Sequence, residues 1–265
     1  MTRALSVGVS RGLLETRMFL RERDAVVFTF LLPVMLLAIF GSIFDYELGE
    51  TGVSFRQYFT AGMIATGIMS VTFVNLGVAI AVERDDGTLK RLYGTPMPRA
   101  SYFVGKTVLA LILAVLETAV LLGVGIALFG LEPPADPGRW LTFAWVFVLG
   151  VASCALLGIA MSSLPRSGRS ASGVLNLPFL ALQFISGVFF AFGQLPGWLQ
   201  QIAALFPLKW MCQGLRSALL PDALLAAEPA GAWEHGRIAL ILGAWCVAGL
   251  ALCALTFRWK GKADG

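Results

Sequence analysis

Charge is scarce in this sequence: Asp, Glu, Lys and Arg make up 14% of 265 residues, against 57% hydrophobic ones. Soluble domains carry about 25% charged residues, so this chain has too little polar surface to coat a water-facing fold. Histidine is nearly missing, with His235 standing alone. The four cysteines, Cys154, Cys212, Cys246 and Cys253, form no CxxC pair. That ligand set is too small for a metal site, and thiols within apolar runs behave as small core residues. Lysine and arginine never gather into runs interleaved with aromatics, which excludes the usual signature of a nucleic-acid partner. Nor do a nucleophile and a base fall together in any motif, so no enzymatic chemistry is expected of the chain itself.

What is present is long apolar stretches. About 20 apolar residues cross roughly 30 Å of hydrocarbon as a helix, and six such stretches occur, at 25–44, 58–82, 102–130, 140–164, 171–192 and 237–257. The pattern predicts an all-α membrane protein with six transmembrane helices, residues 25–257 forming one transmembrane domain. Before them, residues 1–24 place Val9, Leu13, Leu14, Met18 and Leu20 on one side of a helical wheel, with arginines and glutamates largely elsewhere. An amphipathic helix lying along the membrane surface is expected, weakened by Gly8 and Gly12.

Between Ser170 and Leu208 lie 39 residues without a charge, a straight helix of about 58 Å. Gly193, Pro196, Gly197 and Pro207 interrupt it. The economical reading is a span ending near Phe192, then an outer re-entrant helical segment over 193–216 with Trp198 and Trp210 at its interfacial ends. With the N-terminus inside, the inner segments hold 15 of the 20 Lys and Arg residues and the outer ones 5. The positive-inside rule then puts both termini, including the tail 258–265, in the cytoplasm.

That orientation makes residues 83–101 the main cytoplasmic loop, and Glu83–Arg91 carries a charge at six of nine positions. Asp86 and Lys90 stand i, i+4 in the favourable order. Thr88 is placed to cap a short helix over roughly 88–93 that Gly94, Pro96 and Pro98 terminate. Leu89 and Leu92 offer apolar anchors for a partner protein. Residues 100–107, ASYFVGKT, imitate a phosphate-binding loop, but Ala100 replaces its first glycine and the segment opens a membrane helix; the strand–loop–helix context is missing.

The stretch ERDDGTLKRLYGTPMPRASYFVGK resembles the signature loop of the type-2 ABC transporter permeases, and SGVFFAFGQLPGWLQQIAALFPLKW resembles their segment after the fifth span. The likeness runs through the whole chain and is nearest to the daunorubicin-resistance-like exporters. Asp85 stands where many relatives carry glutamate, and Ala191-Phe192 where a proline is common. The resemblance implies a permease subunit that moves a hydrophobic or amphipathic substrate (drug, antibiotic or lipid) out of the cell across a bacterial plasma membrane. It implies two copies of a cytosolic ATP-binding cassette subunit, which bind the ATP and Mg, and a second permease chain, the same or a sister. It also implies that Glu83, Arg84, Asp86, Gly87, Thr88, Leu89 and Leu92 form a coupling helix for that ATPase. Phe73, Asn75, Asn176, Phe179, Gln183 and Phe184 map to the spans lining the substrate path; the same amides also suit plain helix–helix hydrogen bonds. The alternative is a non-transporting scaffold or channel that binds another cytosolic protein through the 83–101 loop.

Two charges fall inside the third span. Glu117 lies near mid-membrane, where a charge is costly; it reads either as a site for a cationic drug or switch, or as a protonated or hydrogen-bonded helix clamp. Lys106 is about 16 Å away along the helix and is expected to snorkel to the headgroups.

Overall fold

The computed structural model describes residues 2–44, 46–134 and 136–259, so Asp45 and most of the expected tail 258–265 lie outside it. Among the described residues every regular element is a helix, apart from one isolated antiparallel bridge between Glu47 and Ser54. In chain order these are α1 (Thr2–Arg21), α2 (Arg23–Ile43), α3 (Phe55–Asp85), α4 (Thr88–Tyr93) and α5 (Arg99–Phe129). There follow α6 (Pro137–Met161), α7 (Gly168–Ile185), α8 (Gly197–Ala203), α9 (Pro207–Leu219) and α10 (His235–Thr256).

Five of these, α2, α3, α5, α6 and α10, are long and apolar enough to cross a membrane. α7 is not among the five; it is 18 residues long and ends at Ile185 rather than near Phe192. Its end is set by Gly187, whose φ of +79° turns the chain in a way a residue with a Cβ resists. α3 is the central rod, with 78% of its most apolar window buried, whereas α2 and α10 are peripheral at 17%. Two π turns interrupt the α geometry, Val27–Leu31 within α2 and Ser70–Asn75 within α3.

α1 packs along the start of α5, and its packing face is not the apolar one. A Cβ on Gly8 would meet Val104 Cβ at 2.6 Å, and one on Gly12 would meet the Gly105 carbonyl at 2.7 Å. Thr16, one turn further, is also buried. The two glycines that lower helix propensity therefore form a close-approach stripe of the kind membrane helices use. Leu13, Leu14 and Met18 point outward, 47–61% exposed. Gly12→Val is expected to part α1 from α5 at a cost of about 1–3 kcal/mol, read as a lower melting temperature of the purified chain; an unchanged one would show that the contact is loose.

α8 and α9 follow one another across the interrupted stretch, joined at residues 204–206. All 13 residues of α9 are buried. Trp198 is 63% exposed, but Trp210 is not at an interface: it is 4% exposed and donates Nε1–H to the Ala204 carbonyl. α9 is wedged between α3 and α6, so its tryptophan faces protein. At this far end Lys209 donates to Gln213 Oε1 at 2.6 Å, and Arg216 stacks 3.5 Å above the Tyr58 ring while donating to the Gly187 carbonyl. Burial holds the Lys209 ammonium below its ordinary pKa, with Glu228 and Glu234 pulling the other way.

Candidate coupling and translocation site

The charged loop becomes a short helix where the spacing puts it: α4 is Thr88–Tyr93. Its N-cap is Gly87, at φ +77°, not Thr88. The exposed first amide, Thr88 N–H, is satisfied by Asp86 Oδ1 at 2.8 Å, so the capping oxygen comes from two residues earlier. Leu89 is 0% exposed and packs with Leu76, Ile80, Tyr102 and Ile159, with Leu92 half-buried at the edge. Leu89 therefore cannot anchor a partner; it fixes α4 to its own bundle. The outward positions of α4 are Lys90, Arg91 and Tyr93.

Glu83 and Arg84 lie on the last turn of α3 rather than on the loop helix, and both reach inward. Glu83 accepts from Tyr102 Oη at 2.7 Å and from Lys106 Nζ. Lys106, 2% exposed, also pairs with Glu15 of α1 at 2.9 Å, and Arg11 pairs with Glu15 at 2.8 Å. The Arg11 guanidinium sits 5.0 Å from the centre of the Tyr102 ring. Lys106 does not snorkel, because two carboxylates from neighbouring helices meet it. Arg84 donates to the Ser162 carbonyl and hydroxyl at the end of α6 and to the Arg258 carbonyl after α10. Asp85 accepts from the Gly168 amide at the start of α7. Three consecutive charged residues, Glu83, Arg84 and Asp85, thus each hold a different element around the root of α4, and the fourth, Asp86, caps α4 itself.

The ASYFVGKT segment is helical throughout, with Gly105 against Gly8 and Lys106 in the ion cluster. It has no loop in which backbone amides converge on a phosphate.

A cleft of about 450 Å³ opens between α2, α3, α5 and α7. Asn75 and Asn176, two of the six path residues, line it together with Thr29, Ser70, Ser172 and Phe28. The two π turns meet here: Asn75 Nδ2 donates to Thr29 Oγ1 at 3.4 Å, joining the turn in α3 to that in α2. Such turns redirect side chains and favour functional sites. Glu22 is the one charged residue in the lining.

The other path residues do not join them. Phe73 is 2% exposed and its backbone faces Gly158 of α6. Phe179 and Gln183 are buried, and Phe184, 52% exposed, stacks on Phe189. Sequence reasoning missed Thr29 and Ser70; only the π turns bring them to the cleft, and a helical wheel with a constant 100° step cannot register those. Glu117 is 1% exposed against Gly67 of α3, outside the cleft lining.

Comparison with known proteins places the chain in a family. The family model described as "ABC-2 type transporter" matches residues 11–220. Over 195 residues the chain is 28% identical to a putative transport permease, ycf38, of Porphyra purpurea, covering 69% of this chain and 64% of that protein. It is 29% identical over 164 residues to a probable multidrug ABC transporter permease, YbhR, of Escherichia coli, covering 62% and 43%. A probable doxorubicin resistance ABC transporter permease, DrrC, of Mycobacterium tuberculosis is 26% identical over 230 residues, covering 82% and 80%. The chain thus spans less than two thirds of the first two relatives. With the match running from α1 through α9, this chain belongs to the ABC-2 type transporter family, whose members are the membrane subunits of ABC transporters.

Proposed function

We propose that this chain is the permease subunit of an ATP-driven exporter, energised by a separate ATP-binding subunit that docks on α4. The seating of α4 carries the reading. Leu89 packs it onto the bundle, Glu83, Arg84 and Asp85 tie its root to α5, α6 and α7, and Lys106 of α5 carries the tie on to Glu15 of α1. A push on the outward Arg91 and Tyr93 would therefore reach α5, α6 and α7 through these ties, and α1 through Lys106. A helix serving only as a polar loop needs none of these ties.

In this reading α7 is the sixth span, the α4 end faces the cytoplasm, and α8 and α9 re-enter the outer leaflet as a hairpin. α1 lies at the inner boundary with its leucines toward lipid. A second permease chain faces the cleft of the first, and two ATP-binding subunits supply ATP and Mg from below. The cleft's mixture of apolar wall, amides and hydroxyls suits a hydrophobic or amphipathic cargo. The names of two relatives, multidrug and doxorubicin resistance, support a drug-like one.

The test is a paired charge reversal, Lys90→Glu with Arg91→Glu, on the exposed face. The variant chain is expected to melt as the wild type does, yet to lose co-purification with the ATP-binding subunit and cargo-stimulated ATP turnover. Full co-purification and turnover would rule out α4 as the docking element.

A further inference from the structure

Glu117 stands near the middle of α5 and is 1% exposed, and neither carboxyl oxygen meets a hydrogen-bond donor among the described residues. It does meet a cradle: a Cβ on Gly67 of α3 would lie 2.8 Å from Glu117 Oε1. The carboxyl fills the space of the missing side chain and rests against the α3 backbone. On either side, Thr66 Oγ1 beside Gly67 and Thr118 Oγ1 beside Glu117 are also buried without a partner. Four buried oxygens are therefore unsatisfied within two residues of the Glu117–Gly67 contact along the two packed helices. Native interiors rarely leave polar atoms so, and each instance calls for a cause.

Among the described residues no charge faces this layer from any element packed on α5. The part of α2 that meets α5 holds no titratable residue, and neither does the π turn 70–75. On α3, Arg56 and Glu83 are 11 and 16 residues from Gly67, about 16 and 24 Å along the axis; Tyr58 lies near Arg56, over Arg216. On α5 itself Lys106 is about 16 Å off and engaged by Glu15 and Glu83. α1 brings Arg11 and Glu15 to that same level, while its Arg17 and Arg21 point outward. α6 carries Cys154, which contacts Met211, and Arg139, which contacts Asp222 at the far end. An ionised carboxylate in this setting would be a buried charge with no counter-ion among the described residues, which protein interiors avoid by keeping the proton.

One turn toward the α4 end on the same two faces stand Leu113 and the pair Ser70–Val71, which line the cleft. Glu117 is the next layer beyond these cleft residues. The geometry points to Glu117 as an exchangeable-proton site that seals the cleft. In the closed arrangement it is the neutral acid resting on Gly67. When α3 and α5 part, its O–H bond breaks, the proton passes to water entering from the cleft, and the carboxylate left behind faces the opened path. Reprotonation restores the contact and closes the seal.

The experiment uses the full chain in lipid nanodiscs, alone for a first arm that does not depend on the exporter reading, and with its ATP-binding partner for the second. Infrared difference spectra between wild type and Glu117→Gln should show the carbonyl stretch of a protonated carboxyl, shifted in heavy water, in the wild type alone. Absence of that band overturns the proposal. The second arm rests on the transport reading. Glu117→Gln is a neutral isostere, expected to melt within about 2 °C of wild type. Its cargo-stimulated turnover should fall about tenfold or more and lose the pH dependence of the wild type. A glutamine variant with the wild-type rate and pH profile shows a fixed spacer and overturns the exchange step. Should that variant fail to fold, dicyclohexylcarbodiimide, which adds to protonated carboxyls in apolar surroundings, decides on the wild type. An adduct mapped to Glu117 during turnover supports the proposal, and none there overturns it. Failure of the α4 reversal alone would strike the exporter reading and leave the infrared result standing.

Discussion

A Lys106→Met chain is expected to lose about 3–5 kcal/mol of stability, the usual cost of removing one partner from a buried ion pair. The methionine fits the space, but Glu83 and Glu15 then face each other without the ammonium that meets both. Because those two carboxylates keep some solvent contact, 21% and 15%, the loss falls toward the lower end of that range. For a chain of this size it corresponds to a melting temperature lower by about 10 °C. Thermal unfolding of the purified chain in nanodiscs measures it directly. Adding Glu15→Gln and Glu83→Gln to Lys106→Met removes the two stranded charges and should recover most of the loss. A single variant that melts with the wild type would mean that the cluster is a surface feature and does not join α1, α3 and α5.

The second large effect is expected at Gly158, where α6 crosses α3. A Cβ there would stand 2.7 Å from the carbonyl oxygens of both Thr72 and Phe73, inside the π turn. From the other side, Gly77 brings its own missing Cβ to 2.9 Å from the Gly158 carbonyl. Backbone atoms cannot swing aside as a side chain does, so Gly158→Val must separate the two helices or abolish the π turn. Overpacking costs about 1–3 kcal/mol where neighbours can adjust, and here the rigid carbonyls push it to the top of that range or to failure of assembly. Gly243→Ala on α10 is the control, since nothing lies within 4 Å of its missing Cβ; it should gain about 0.5–1 kcal/mol from helix propensity. Yield of folded chain after detergent extraction separates the two. Equal yields for both variants would show that the crossing is looser than the distances say.

Both effects concern residues whose importance the sequence hid. Lys106 read as a headgroup-seeking lysine because hydropathy is summed along one helix and is blind to a carboxylate from the next. Gly8 and Gly12 read as defects of α1 because propensity counts their entropy and not the close approach they permit. Leu89 read as an anchor for another protein; only its place against Tyr102 and Ile159 shows it serving its own chain. Phe73 and Asn75, two residues apart, were assigned one role, and the π turn between Ser70 and Asn75 sends only the amide to the cleft. By contrast the extent of α4 was legible, although its N-cap is Gly87 and not Thr88. Its ends are set by Gly87 and Gly94 and its first amide by Asp86, all signals lying within a few positions of each other.

The sequence by itself determined that lipid is the solvent for most of this chain, that its elements are helices, and roughly where each begins. Those properties are local: twenty apolar residues need a bilayer, and their backbone groups must bond within the segment. Only the tertiary structure decided which charges pair, which glycines touch and which polar groups line the cleft. In a bilayer the outside of a helix bundle is as apolar as its inside, so hydrophobicity does not select the face each helix turns inward. That choice rests on close packing and a few buried polar contacts between distant residues.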